Sequence, residues 1–210
     1  MANASTRPAQ RSRPAGLRST SQPGDGATLP AIEALGLIET DSVARGTVVA
    51  DGVLKMAPVD LLFAGEISPG KFVVLFGGDV GPTRASHTKG VELAGDRRVD
   101  DLLIPQLHQG VLPALEDRVG AGDEDALGTI ETTSVAATVL ASDRAAKAAR
   151  ITLRRIRLAQ GLGGKGFVFL TGPVHDVEAA VAAGKAAAGS KLADWSIIPR
   201  LAAGARAQLL

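Results

Sequence analysis

No cysteine occurs in the 210 residues, which excludes a disulfide frame, a thiolate nucleophile, Cys-ligated zinc and a Cys-held iron–sulfur cluster. The three histidines, His87, His108 and His175, lie far apart, so no His-based metal centre is expected and no cofactor is anticipated. No uncharged apolar run approaches the roughly 18 residues of a membrane span. The first thirty residues lack the apolar core of a secretory signal, so the expectation is a cytosolic protein without membrane contact. Aromatic residues make up only 3% of the chain, beside 25 glycines. Thin side chains imply close packing of elements and apolar surface that is buried only between subunits.

The 45% apolar and 21% charged residues are those of a globular protein, and the net charge is +1. That charge is unevenly placed. Residues 1–30 hold Arg7, Arg11, Arg13 and Arg18 against Asp25, together with four prolines and almost no large apolar side chain. Such a segment cannot offset its ordering entropy and reads as a disordered basic arm. An organelle transit peptide would need an amphipathic helix that is not evident, and a nucleic-acid arm would rest on four arginines without an aromatic platform. No nucleic-acid partner is therefore expected.

The body repeats itself. Ala34-Leu35-Gly36-Leu37-Ile38-Glu39-Thr40-Asp41-Ser42-Val43-Ala44 returns 92 residues later as Ala126-Leu127-Gly128-Thr129-Ile130-Glu131-Thr132-Thr133-Ser134-Val135-Ala136, identical at nine of eleven positions. Asp51/Asp143, Lys55/Lys147 and Leu61/Leu153 keep that offset, whereas Gly70/Gly164, Gly78/Gly172, Asp100/Asp194 and Ile104/Ile198 stand 94 apart. A two-residue insertion therefore falls between Leu61 and Gly70. Units of about 80 residues are too long for a solenoid and read as two copies of one small domain. The expected organisation is an arm over 1–30, a first domain over 31–118, a linker over 119–125 and a second domain over 126–210.

Within each unit the pattern reads strand, helix, strand, strand, helix, strand, an α/β (α+β) fold with a mostly antiparallel sheet flanked by helices. Ser42 is placed to cap a helix in which Val43, Thr47, Ala50, Leu54 and Ala57 share a face, and Pro58 stops it. Asp51 and Lys55 then lie together on the outer face, four residues apart. Apolar runs at 59–64 and 72–76 flank the turn residues Ser68-Pro69-Gly70, a hairpin whose tip is mostly backbone. Helices are expected over 80–94 and 174–188, ended by Gly95 and Gly189, followed by strands over 99–104 and 192–198.

The Ala-Leu-Gly-Leu-Ile-Glu-Thr opening, the Asp-x-x-x-Lys helix, the Gly-rich hairpin tip eight residues before a Gly, and Ile198-Pro199-Arg200 resemble bacterial microcompartment (BMC) shell domains. Both copies match, over roughly residues 34–200. The tandem arrangement resembles the trimeric shell proteins, and Ile67-Ser68-Pro69-Gly70-Lys71-Phe72, Gly77-Gly78-Asp79-Val80-Gly81, Val111-Leu112-Pro113-Ala114 and Gly161-Leu162-Gly163-Gly164-Lys165 resemble their propanediol-utilisation-type subgroup. The resemblance implies a structural protein without catalysis: a pseudohexameric homotrimeric tile in a microcompartment shell in the bacterial cytoplasm. Its implied partners are itself, other shell proteins laterally, encapsulated enzymes, and small metabolites passing a central pore. Some members of that subgroup hold an iron–sulfur cluster through cysteine; here Gly166 follows Gly164-Lys165 and no cysteine exists, so the redox role is contradicted.

By the resemblance, Ser68, Pro69 and Gly70 line the pore beside Leu162, Gly163 and Gly164. Lys71 and Lys165 follow the tips and could add positive potential favouring anions, the alternative being solvated side chains. Lys55, Lys147 and Arg200 match tile-edge positions, where a Lys ammonium reaches a neighbour's carbonyl. Gln106 stands where the first copy would have the arginine.

Enzyme-like signals are weak. A phosphate loop ending at Lys165 would need Gly at 159 and a hydroxyl at 166, and the chain has Ala159 and Gly166. The repeated acids Glu39 and Glu131 sit at strand ends, where backbone hydrogen bonding is expected rather than base catalysis. His87 and His175 are expected to be solvated. A reading from another class is a small-anion-binding sensor gripping its ligand with the Gly-rich loops.

Overall fold

The computed structural model describes residues 32–120, 122, 126–159 and 161–210. The basic arm and most of the linker lie outside the described residues. The first unit runs β1 (Ala34–Thr40), α1 (Val43–Met56), β2 (Asp60–Ile67), β3 (Lys71–Gly78), α2 (Val80–Ala94) and β4 (Arg98–Ile104), followed by a short α3 (Val111–Leu115). The second repeats it as β5 (Ala126–Thr132), α4 (Val135–Ala148), β6 (Thr152–Leu158), β7 (Gly166–Gly172), α5 (Val174–Ala188), β8 (Leu192–Ile198) and α6 (Ala203–Leu209). The two sheets are antiparallel throughout, in the orders β2-β3-β1-β4 and β6-β7-β5-β8.

Local chemistry sets the helix ends. Ser42 Oγ accepts from the Arg45 amide and Ser134 Oγ from the Ala137 amide, both at 3.2 Å, satisfying orphan donors of the first turn. Gly95 and Gly189 close α2 and α5 at φ 55° and 53°, a backbone region that side-chain-bearing residues avoid. β2 and β3 extend beyond the apolar runs at 59–64 and 72–76 because the ladder continues to Ile67 opposite Lys71, at the hairpin itself. The two-residue insertion resolves to the second tip: Glu66 pairs with Phe72 and Leu158 with Gly166, so the extra residues sit between Ala159 and Lys165.

Each sheet carries its own helices on one face. Ile38, Val74 and Phe76 meet Val49 and Val53 of α1, and Gly90 of α2 lies so close that a Cβ there would stand 2.2 Å from Ile38 Cδ1. The other face of the first sheet, with Leu35, Leu37, Val73, Leu75, Leu102 and Ile104, belongs to a larger core that includes α3 and reaches Val135, Ala136 and Val139 of α4. The first sheet is thus covered on one side by its own helices and meets the second domain on the other.

Candidate functional site

Two features face function: the seam between the repeats and the adjoining hairpin tips. At the seam, the N-terminus of α4 docks on the first sheet. The Glu39 carboxylate, fully buried, accepts from the Val135 amide at 3.1 Å, and Ser134 Oγ donates to Asp100. A carboxylate at a helix N-terminus also meets the positive end of the helix dipole. Further along α4, Asp143 accepts from the His108 amide at 2.9 Å, and Lys147 donates to Asp143 at 2.6 Å and to the Gln106 carbonyl.

The two copies differ in these contacts. Asp143 is fully buried, whereas its copy Asp51 is exposed and pairs with Lys55 at 2.6 Å as expected. Lys147 reaches a carbonyl of the preceding domain of the same chain, so within the chain its ammonium joins the seam between the repeats. Glu39 takes the backbone donor expected of it, but from the other domain, and binds a lysine as well.

That lysine is Lys71, whose Nζ lies 2.7 Å from Glu39 Oε1, and Lys165 pairs in the same way with Glu131 at 2.9 Å. The partner carboxylate holds the Lys165 ammonium above its ordinary pKa. Neither lysine presents a free charge, and neither is merely solvated. The antiparallel register explains the pairing, because Glu39 stands opposite Val73 and Glu131 opposite Phe167, so each acid and each lysine share a sheet face. Repetition of the acid together with the lysine was the signal available in the sequence. An anion approaching either tip meets an ammonium already paired with a carboxylate.

The structure brings the two tips together. The Gly161 amide donates to Ser68 Oγ at 3.3 Å, and a Cβ on Gly164 would stand 3.1 Å from Pro69 Cδ. Gly70, Gly161, Gly163 and Gly164 all have positive φ, between 62° and 91°, and Leu162 stands exposed among them. The tip pairing of Ser68, Pro69 and Gly70 with Leu162, Gly163 and Gly164 is therefore a local neighbourhood in one chain. Gly166 leaves no room for a side chain: a Cβ would lie 2.1 Å from Thr138 Oγ1 and 2.8 Å from the Arg157 carbonyl.

Elsewhere, His87 departs from its expected solvation. Its side chain is nearly buried, and Nε2 lies 3.0 Å from Asp101 Oδ2, in reach but too poorly aligned for a hydrogen bond. Burial pulls its pKa below the ordinary value against the opposing pull of Asp101. His175 is exposed as expected. Among the described residues no group of three or more acids, histidines or cysteines could hold a metal, and no helix is long and apolar enough to cross a membrane.

Comparison with known proteins places this geometry. The BMC domain model matches residues 34–107 and again 126–201. The chain is 43% identical over 170 residues to the bacterial microcompartment shell protein PduT of Citrobacter freundii, covering 80% of this chain and 92% of that one. It is 41% identical over 78 residues to the carboxysome shell protein CcmK3 of Synechococcus elongatus, 35% of this chain and 74% of that one. A solved microcompartment protein from Desulfitobacterium hafniense superposes with a TM-score of 0.74 at 43% identity, covering 82% of this chain and 97% of that one. The fused permuted hexameric shell protein MSM0275 shares the fold, with a TM-score of 0.57 at 22% identity over 73% of this chain and 82% of that one. With two BMC domains in tandem and a seam that packs one against the other, the chain belongs to the BMC-domain family of microcompartment shell proteins.

Proposed function

We propose that three chains close head to tail into a ring, a pseudohexameric tile whose hairpin tips surround a central pore for small metabolites, within a microcompartment shell in the bacterial cytoplasm. One observation carries this reading: two equivalent helices of the repeat have opposite surroundings. α4 is buried at Val135, Ala136 and Val139 against the first domain, while its copy α1 leaves Val43 46% exposed where Val135 is 0%. The complementary surface is equally bare. Ile104 of β4 is 2% exposed, whereas Ile198 of β8 is 37% exposed and Phe167 and Phe169 are only half-buried. Each chain therefore has one filled seam and the two unfilled halves of another, which is a heterologous head-to-tail contact.

The repeat supplies the bonds that fill it. Asp194 already accepts the Trp195 amide as Asp100 accepts the Asp101 amide. By equivalence, the partner subunit's Asp194 receives Ser42 and the partner subunit's Glu131 receives the Val43 amide. Lys55 then reaches the carbonyl of the partner subunit's Arg200, as Lys147 reaches Gln106. The pore is lined by Ser68, Pro69, Gly70, Leu162, Gly163 and Gly164, without charge from Lys71 or Lys165. Exposed Arg200 is left to the contacts between tiles, which bind other shell proteins. Light scattering tests the ring: the expected mass is three times 21.4 kDa, about 64 kDa. A stable monomer or dimer overturns the reading.

A further inference from the structure

We infer that Glu66 makes the pore mouth favour cations and disfavour small anions, an inference that rests on the ring proposed above. Glu66 is the last residue but one of β2, exposed beside the hairpin, and among the described residues its carboxylate makes no hydrogen bond or ion pair. Together with Ile67, Ser68, Pro69, Gly70 and Gly161 it lines an open cleft of about 420 Å³ between the two tips. No other residue lining that cleft carries a formal charge. The lysines that follow the two tips, Lys71 and Lys165, are each compensated by their own carboxylate, so each pair contributes little net field at a distance.

The acid belongs to only one of the two tips. The register places Leu158 where Glu66 stands in the first copy, and Leu158 is buried. A ring of three chains therefore carries three uncompensated carboxylates around its opening, alternating with three neutral tips. Like charges around a narrow low-dielectric mouth focus their potential, raising the local concentration of cations and lowering that of anions. This is the opposite polarity to the one the tip lysines suggest when they are taken as free. Uncharged solutes would be unaffected by the carboxylates, and small carboxylates are the class held back.

The test uses purified wild-type protein, E66Q, E66D and E66K in planar lipid bilayers, with a potassium chloride gradient and the reversal potential as readout. Light scattering of the same samples reports the ring. Wild type and E66D should show a several-fold preference for potassium over chloride, E66Q a ratio of about one, and E66K a preference for chloride. A wild-type ring that conducts without cation preference, or an E66Q ring that keeps it, overturns the role of Glu66 and leaves the pore standing. A wild-type ring that is embedded in the bilayer, as fluorescence of labelled protein reports, and conducts nothing overturns the pore reading and this inference with it. Loss of the ring in E66Q would make Glu66 a structural residue and would also overturn it.

Discussion

Position 87 on α2 carries a histidine where the second copy has Val181, and position 101 on β4 carries an aspartate where the second copy has Trp195. Val181 is buried without cost, whereas the partial burial of His87 disfavours its charged form. Asp101 pulls toward protonation, but it already binds Arg98 at 2.6 Å, and Arg98 and Arg84 both oppose a second positive charge. The folded pKa therefore lies below the unfolded one. The unfolded chain takes up the proton first, so stability is full above the ordinary histidine value of about 6.5 and falls as pH drops through it. Replacing His87 with Val, the residue of the other copy, removes that dependence. Melting temperatures measured between pH 7.5 and 5.5 should fall more for wild type than for His87→Val; equal slopes would show that another group titrates.

α1 and α4 show the same local signals with different fates. Both have a serine cap, both span fourteen residues and both place an aspartate and a lysine four residues apart. These features were legible because they depend on neighbours three or four residues away. Burial of Asp143 was not legible, because it comes from Gln106 and His108 on another segment of the chain. The proposed ring makes the difference between the two helices vanish, and Val43 tests it. An aspartate at the first turn of α1 suits the helix dipole and sits at an exposed position, so Val43→Asp should change the stability of the isolated chain by no more than about 0.5 kcal/mol. In the ring it would place a carboxylate beside the partner subunit's Glu131, and light scattering should show the single-chain mass of 21.4 kDa. The matching change at Val135, fully buried against the first domain, should instead cost the chain about 3 kcal/mol or more in urea unfolding. Retention of the ring by Val43→Asp would show that α1 is not the docking face.

At the scale of the whole molecule, the proposed ring would have two kinds of seam, alike in chemistry but different in covalent linkage. One is held by the chain itself, so its local concentration is always high; the other forms only by association. A head-to-tail contact either closes or polymerises, and in a closed ring the outer rim is the surface for growth in the plane of the tile. On that rim the two copies differ, with Gln106 at one position and Arg200 at its equivalent, both exposed. That asymmetry was readable in the sequence, whereas the use of Lys147 at the internal seam was not, because the seam becomes visible only when the second domain is placed against the first. If the backbone carbonyl at position 200 receives Lys55 within the ring, the arginine side chain is free to bind the next tile. Arg200→Ala should therefore leave the mass near 64 kDa, since it keeps the carbonyl, while abolishing extended two-dimensional arrays in electron micrographs at high protein concentration. Arrays that persist in Arg200→Ala would assign the contact between tiles to apolar rim residues such as Leu54 and Met56, which are 45% and 51% exposed on either side of Lys55. Loss of the ring itself would mean that the guanidinium, and not the carbonyl, completes the seam between subunits.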